Sequence, residues 1–157
     1  MPLLGIKTIT FFILSITSVA LINCSADSPK ADFSASDREE IMEVLNGQAV
    51  DWSNGDMEKF MEGYWKSDSL QFIKRGEIAF GWQQTLDNYK MTYSHSSGTG
   101  MGKLQFDILK LNPVSGDAAF LTGKFFLERG ERKSNGLFTL VFRKIDGRWV
   151  IVYDHTS

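Results

Sequence analysis

The feature that most constrains this chain is a change of residue pattern at Lys103. Upstream of it, apolar residues recur at helical spacing in three segments, and two short strand-like runs, at residues 70–73 and 78–80, precede the third. Downstream, four long runs rich in β-branched and aromatic residues are separated by turn sequences such as Asp146-Gly147. The predicted order is therefore α-α-β-β-α-β-β-β-β. Helices that come early and an antiparallel meander that comes late indicate an α+β fold rather than alternating α/β.

The boundaries of the first helix follow from its capping and stop signals. Ser36 and Glu39 have the spacing of a capping box, and apolar residues then recur on one face from Ile41 to Trp52. The Ser-Asn-Gly sequence at residues 53–55 ends this helix. A second, short helix is predicted directly after this stop, and a third after the two strand-like runs.

The N-terminal segment is predicted to be an export signal rather than part of the fold. Residues 1–23 carry Lys7 as their sole charge, and their apolar stretch is shorter than the ~20 residues that a membrane-spanning helix needs. A basic residue before a short apolar core is typical of a secretory signal. Cys24 follows directly, and this arrangement resembles the lipobox of bacterial lipoproteins.

The lipobox resemblance implies that Cys24 is acylated and becomes the mature N-terminus. Residues 24–36 would then form a polar tether, and residues 37–157 the folded domain. The expected location is the bacterial cell envelope, on its periplasmic or outer-membrane face, with membrane contact through the lipid anchor alone. An ordinary signal peptide followed by an incidental cysteine is the alternative.

Composition excludes several classes of function. A chain of 157 residues has the size of one domain, and a net charge of −2 offers no basic surface for nucleic acid. One cysteine and two histidines exclude an internal disulfide and a multi-cysteine zinc site. The chain has no phosphate-binding loop, nucleophile elbow or His-Glu-x-x-His pattern. We therefore predict no metal and no cofactor.

Four sequence features resemble the nuclear transport factor 2-like (NTF2-like) superfamily, in its SnoaL-like and DUF4440-type branch. They are AVDWSNGDMEKF, a glycine at Gly81, GDAAFLTGKF and the C-terminal GLFTLVFRKIDGRWVIVYDHTS. The resemblance covers residues 37–157 and implies a curved antiparallel sheet wrapped around three helices into a cone. It also implies an interior pocket and a homodimer through the convex sheet face. Members include isomerases, cyclases, dehydratases, assembly domains and binding proteins, so the fold alone does not choose a function.

His155 is the predicted polar contact of this pocket and the candidate catalytic residue. Regular strand alternation places His155 on the face of Trp149 and Tyr153, and Asp154 on the opposite face. A histidine in a pocket can hydrogen-bond a ligand or act as a general acid or base. The alternative is a solvated, structural histidine at the sheet edge. Asp154 is interpreted as a structural acceptor for backbone donors.

Aromatic residues supply the rest of the predicted site. A pocket lined by tyrosines and tryptophans suits a ring-shaped or planar ligand, although aromatic residues at helical spacing are also typical of an ordinary core. Lys124, inside an apolar strand, is either a buried cation on the concave face or a solvated or interface residue on the convex face. The predicted ligand-binding residues are Trp52, Tyr64, Trp82, Tyr89, Tyr93, Tyr153 and His155.

The sequence therefore predicts an envelope-anchored, homodimeric domain that binds a small, largely apolar molecule in its cone. Two alternatives stay open. One is an acid–base enzyme of the isomerase, cyclase or dehydratase type that uses His155. The other is a homo-oligomeric assembly domain.

Overall fold

The computed structural model describes residues 32–93 and 100–157. The predicted export signal at residues 1–23 and the predicted acylation site at Cys24 lie outside the described residues. In the two described ranges, no helix is both long and apolar enough to span a bilayer.

The first helix begins two residues earlier than the sequence pattern predicts. Helix α1 spans Ala35–Ser53, and its N-cap is Ser34, whose hydroxyl accepts a hydrogen bond from the backbone N–H of Asp37. The Asp37 carboxylate accepts one from the Ser34 backbone N–H in return, which completes a capping box. The prediction of a Ser36–Glu39 box is therefore wrong, and the last residues of the predicted tether belong to the helix.

A contact between the N-cap and the sheet explains why Ser34, and not Ser36, caps this helix. Asp37 is buried, and its Oδ1 accepts hydrogen bonds from Lys144 Nζ at 2.8 Å and from Trp149 Nε1 at 2.9 Å. The ring of Phe33 packs edge-on against Trp149, 5.7 Å away between centroids. The start of α1 is thus set by residues more than a hundred positions downstream.

The remaining elements appear in the predicted order. Helices α2 (Met57–Glu62) and α3 (Trp82–Tyr93) flank the first hairpin in sequence. The six strands are β1 (Gln71–Lys74), β2 (Glu77–Phe80), β3 (Lys103–Ser115), β4 (Ala118–Arg129), β5 (Arg132–Ile145) and β6 (Arg148–Thr156).

These strands form one curved sheet in the order β2-β1-β6-β5-β4-β3. The α+β prediction is confirmed. Strand β1 lies parallel to β6, whereas the other neighbours pair antiparallel. The parallel pair departs from the predicted all-antiparallel sheet. It joins the short N-terminal hairpin to the C-terminal strand, and so places β1 beside the last residues of the chain.

Two-residue turns close the hairpins that the sequence predicts. Arg75 and Gly76 have φ of 55° and 80°, and Asp146 and Gly147 have φ of 50° and 76°. Two consecutive residues with positive φ make the type I′ turn that matches strand twist. Between β4 and β5 the turn is equally short, because the Arg129–Arg132 pair closes the ladder.

Bulges and a glycine accompany the curvature of the sheet. The β3–β4 register shifts between Ile108 and Lys110, next to the pair Ile108–Gly123. A Cβ at Gly123 would lie 2.5 Å from the Phe138 ring, so a side chain there would displace a core aromatic residue. The concave face buries Phe138 and the alternate positions of β5 beneath the helices. Lys124 is exposed on the convex face, which decides between its two predicted positions.

Candidate functional site

A cavity of about 70 Å³ lies between the helices and the concave face of the sheet. Its walls are mainly aromatic and aliphatic, with a few polar groups at one end, as is typical of ligand pockets. Its lining residues are Leu45, Gln48, Trp52, Phe60, Tyr64, Lys74, Tyr89, Tyr93, Leu104, Phe106, Phe125, Leu127, Phe138, Leu140, Asp154 and Thr156.

Aromatic rings from all three helical segments pack edge to face around this cavity. The Trp52 centroid is 4.7 Å from that of Tyr93 and 5.0 Å from that of Phe60, and Phe60 and Tyr89 are 5.5 Å apart. The Trp52 indole N–H donates to the carbonyl oxygen of Met101 at 3.1 Å, so this ring is fixed. The structure thus brings together four predicted residues, Trp52, Tyr64, Tyr89 and Tyr93.

The polar end of the cavity is built on Asp154, whose side chain is buried. The Tyr64 hydroxyl donates to Asp154 Oδ2 at 2.8 Å, and the Thr156 hydroxyl donates to Oδ1 at 2.8 Å. Burial raises the pKa of Asp154 to about 6, against the smaller opposing effects of these two hydrogen bonds and of Lys74. Burial also raises the pKa of Tyr64 and Tyr89 well above the usual range. Near neutral pH the site therefore presents hydroxyl groups and one carboxyl that is close to its titration point.

The segment that follows α2 holds Tyr64 against Asp154. The Ile151 N–H donates to the carbonyl oxygen of Gly63, and the Trp65 N–H donates to that of Ile151, both at 2.9 Å. Tyr64 thereby forms an isolated parallel β-bridge with Ile151 of β6, which lies three residues before Asp154. Asp154 itself pairs with Leu140 of β5, which also lines the cavity.

The prediction that His155 faces the cavity is wrong. Val141 of β5 pairs with Tyr153 of β6, but the next residue of β5, Phe142, pairs with Ile151, so Val152 is an extra residue in β6. Such a bulge reverses the alternation of side chains beyond it. Asp154 therefore shares the buried face of Ile151, and His155 is exposed on the opposite face. Asp154 accepts hydrogen bonds from the side-chain hydroxyls of Tyr64 and Thr156 rather than from the predicted backbone donors.

Two further predicted site residues also lie outside the cavity. The Trp82 indole N–H donates to the carbonyl oxygen of Met61 at 2.8 Å, and Lys66 Nζ lies 5.0 Å from the Trp82 ring centroid. Tyr153 is half-buried and pairs with Val141, on the same side of the bulge as His155. Trp82 anchors the start of α3, whereas Tyr153 belongs to the outer surface of the sheet.

Lys74 is not among the predicted site residues, yet it lies where the cavity meets a larger groove. This groove, about 590 Å³, lies between the β1–β2 hairpin and α3, and Lys74, Tyr89 and Tyr93 line both spaces. Strand alternation from the buried Phe72 places Lys74 on the inner face. That signal was present in the sequence. The bulge that turns Asp154 inward has no comparable local signal.

No metal centre is evident in the part of the chain that the structure describes. There, no group of three or more His, Cys, Asp or Glu side chains is placed to hold an ion. The chemistry that the described cavity offers is hydrogen bonding, apolar contact and proton transfer at a buried carboxyl.

Comparison with known proteins identifies the family. The model of the SnoaL-like domain matches residues 41–157. The chain belongs to the SnoaL-like domain family. Among curated proteins, none matches this chain.

Solved structures place this SnoaL-like domain in the NTF2-like superfamily. An NTF-2 like protein of unknown function from Shewanella oneidensis MR-1 is 38% identical, covers 76% of this chain and 98% of its own, and has a TM-score of 0.72. An NTF2-like superfamily protein from Salmonella enterica serovar Typhimurium is 21% identical, covers 76% and 89%, and has a TM-score of 0.58. The predicted cone fold is confirmed.

One further match shows the fold alone. A putative calcium/calmodulin-dependent protein kinase type II association domain from Thiobacillus denitrificans is 15% identical, covers 74% of this chain and 92% of its own, and has a TM-score of 0.63. The same cone thus occurs in proteins described in different functional terms.

Proposed function

We propose that this SnoaL-like domain binds a small, largely apolar molecule in the cavity of its cone. The observation that carries the proposal is the Tyr64–Asp154 pair in a cavity whose walls are mainly aromatic and aliphatic. A carboxyl whose pKa burial raises to about 6 makes the folded state less stable at neutral pH. Costly buried polar groups of this kind concentrate at functional sites. The apolar walls would hold the body of the ligand, and Asp154 and Tyr64 would orient one polar group.

Two leucines on opposite faces of β5 supply the test. Leu140 is buried in the cavity wall beside Asp154, its cross-strand neighbour, whereas Leu137 is 48% exposed on the convex face. Binding of the neutral probe p-cresol is measured by saturation-transfer NMR and calorimetry in Leu140→Phe and Leu137→Phe. We expect the first variant to weaken binding at least about ten-fold, because the added ring fills the cavity, and the second to leave it unchanged. Equal binding by two folded variants would contradict the proposal.

One observation favours an acid–base enzyme as a second function. The pKa of Asp154, raised by burial to about 6, is close to the pH at which a general acid or base works best. We propose that Asp154, rather than His155, would transfer the proton in such an enzyme. The probe is cyclohexanone in D₂O, with exchange of its α-protons followed by NMR. If the protein accelerates this exchange, and the acceleration is lost in Asp154→Asn but kept in His155→Ala, the result supports catalysis. If exchange with the wild-type protein is no faster than in buffer, the result supports binding without catalysis.

We also propose that the domain acts as a homodimer through the convex face of its sheet. Phe120 of β4, Val141 of β5 and Tyr153 of β6 form one cross-strand row there, and Phe120 is 40% exposed. Ile78 and Phe80 of β2 extend the apolar surface along the sheet edge. A second copy would cover these side chains and remove them from water.

Anchoring at the cell envelope through Cys24 completes the proposal. Its support is the sequence around Cys24, at the end of a short apolar segment. Intact mass and incorporation of labelled palmitate into the wild type and Cys24→Ala test it. Loss of label in the variant is the expected result. A wild-type protein recovered without lipid, or starting at another residue, would contradict it.

A further inference from the structure

Lys74 introduces a positive charge where the cavity and the groove share lining residues. It is half-buried in β1, between the cavity that contains Asp154 and the groove beside α3. Lysine is a flexible, strongly hydrated cation, and its burial is costly unless an opposite charge compensates it. The source of the negative charge that compensates Lys74 therefore indicates whether the ligand itself is charged.

The described part of the protein does not supply this partner. Glu77 is the cross-strand neighbour of Lys74, yet Lys74 forms no ion pair or hydrogen bond with Glu77 or with any other residue in 32–93 and 100–157. Burial lowers the pKa of Lys74, and repulsion by Arg75 contributes more to this shift than the opposing attraction of Asp154. The ammonium group at the junction is thus incompletely compensated.

Other cations surround the same opening. Arg75 lines the groove next to Lys74, and the Arg129 guanidinium carbon lies 5.0 Å from the ring centroid of Tyr93, which lines both spaces. Burial raises the pKa of Tyr93, while the charges of Arg129 and Arg75 act in the opposite direction. Three cationic side chains, those of Lys74, Arg75 and Arg129, thus lie in or beside the lining of the groove, which also includes Glu77.

We propose that the ligand is a small amphipathic monoanion, an aliphatic or aromatic carboxylate, whose apolar body enters the cavity and whose carboxylate pairs with Lys74 at the junction with the groove. This inference rests on the proposed binding function and adds the charge of the ligand to it. The aromatic walls accept the body, and the carboxylate neutralises a cation to which the residues in 32–93 and 100–157 give no ion pair or hydrogen bond.

The test uses two pairs of ligands, and the two members of each pair differ in charge but hardly in shape. Phenylacetate and phenylacetamide are titrated calorimetrically into the purified protein, with hexanoate and hexanamide as an aliphatic pair. We expect each carboxylate to bind at least about ten-fold more tightly than its amide, the effect of one charge-assisted contact.

Three lysine variants then locate this preference. Lys74→Met removes the charge at similar length, Lys74→Arg keeps the charge, and Lys124→Met is the matched control on the convex face. Lys74→Met should abolish the preference for the carboxylate over the amide, whereas the other two variants should retain this preference. If Lys74→Met does not fold, the comparison of each carboxylate with its amide in the wild type and in Lys74→Arg still tests the proposal.

The outcomes separate this inference from the function on which it rests. Equal binding of carboxylate and amide by the wild type, or an equal loss of both in folded Lys74→Met, overturns the anionic ligand and leaves cavity binding intact. If p-cresol binding does not respond to Leu140→Phe either, the binding function itself fails.

Discussion

Replacing Asp154 by asparagine should stabilise the protein at neutral pH. In the folded state burial raises the pKa of this carboxyl from 3.8 to about 6, so deprotonation is more costly in the folded chain than in the unfolded one. Asparagine has nearly the shape of the protonated carboxyl. Its amide oxygen can accept from the Tyr64 hydroxyl, and its NH₂ group can donate to the Thr156 hydroxyl.

The magnitude follows from the size and sign of the shift. Below about pH 4 both states keep the proton, and Asp154 contributes no penalty. As the pH rises from about 4 to about 6, the unfolded state loses the proton before the folded state, so the wild type loses stability. Above about pH 6 the penalty is complete, at about 3 kcal/mol for a shift of about two pKa units. Asp154→Asn should therefore match the wild type at low pH and exceed its free energy of unfolding by about 3 kcal/mol at neutral pH.

Urea unfolding followed by tryptophan fluorescence, repeated from about pH 4 to about pH 7, measures this difference. The exposed carboxyl of Asp107 on the convex face gives the matched control, and Asp107→Asn should stay within about 0.5 kcal/mol of the wild type throughout. A destabilised Asp154→Asn at neutral pH, or a difference that does not change with pH, would refute the reasoning. The first result would mean that the ionised carboxylate is the form that the fold prefers.

Four other changes test the remaining contacts. Asp37→Asn should cost about 1–3 kcal/mol at neutral pH, because Lys144 holds the pKa of Asp37 below its usual range; urea titrations should show the loss disappearing as the pH falls below that range. Gly123→Ala should lower the free energy of unfolding by about 1–3 kcal/mol through the clash with a core phenylalanine ring, and an unchanged thermal midpoint would contradict this. His155→Ala should leave p-cresol affinity within about two-fold of the wild type in calorimetry, because its side chain is exposed outside the cavity. Phe120→Lys should convert a dimer to a monomer in sedimentation equilibrium, and a wild type that is already monomeric would refute the convex interface.

Local sequence determined the elements of this fold and their order. The spacing of apolar residues from Ile41 to Trp52, the change of pattern at Lys103 and the Asp146-Gly147 turn all depend on interactions within a few residues, which the chain displays directly. Three of the predicted aromatic residues, Trp52, Tyr89 and Tyr93, also line the cavity, because helical periodicity indicates which side of a helix is buried. Whether Lys124 lies on the convex or the concave face could be determined only from the register of β4.

Tertiary structure decided which polar residues the site contains. The bulge at Val152 exists because β6 places one more residue than β5 between two fixed pairs, and it turns Asp154 inward and His155 outward. Likewise, the cap of α1 lies at Ser34 because Asp37 meets Lys144 of the sheet. A helical or strand period predicts the face of a residue only while the ladder is regular. One extra residue in a strand reverses that face, and it is the pairing of two distant segments that sets where the extra residue falls.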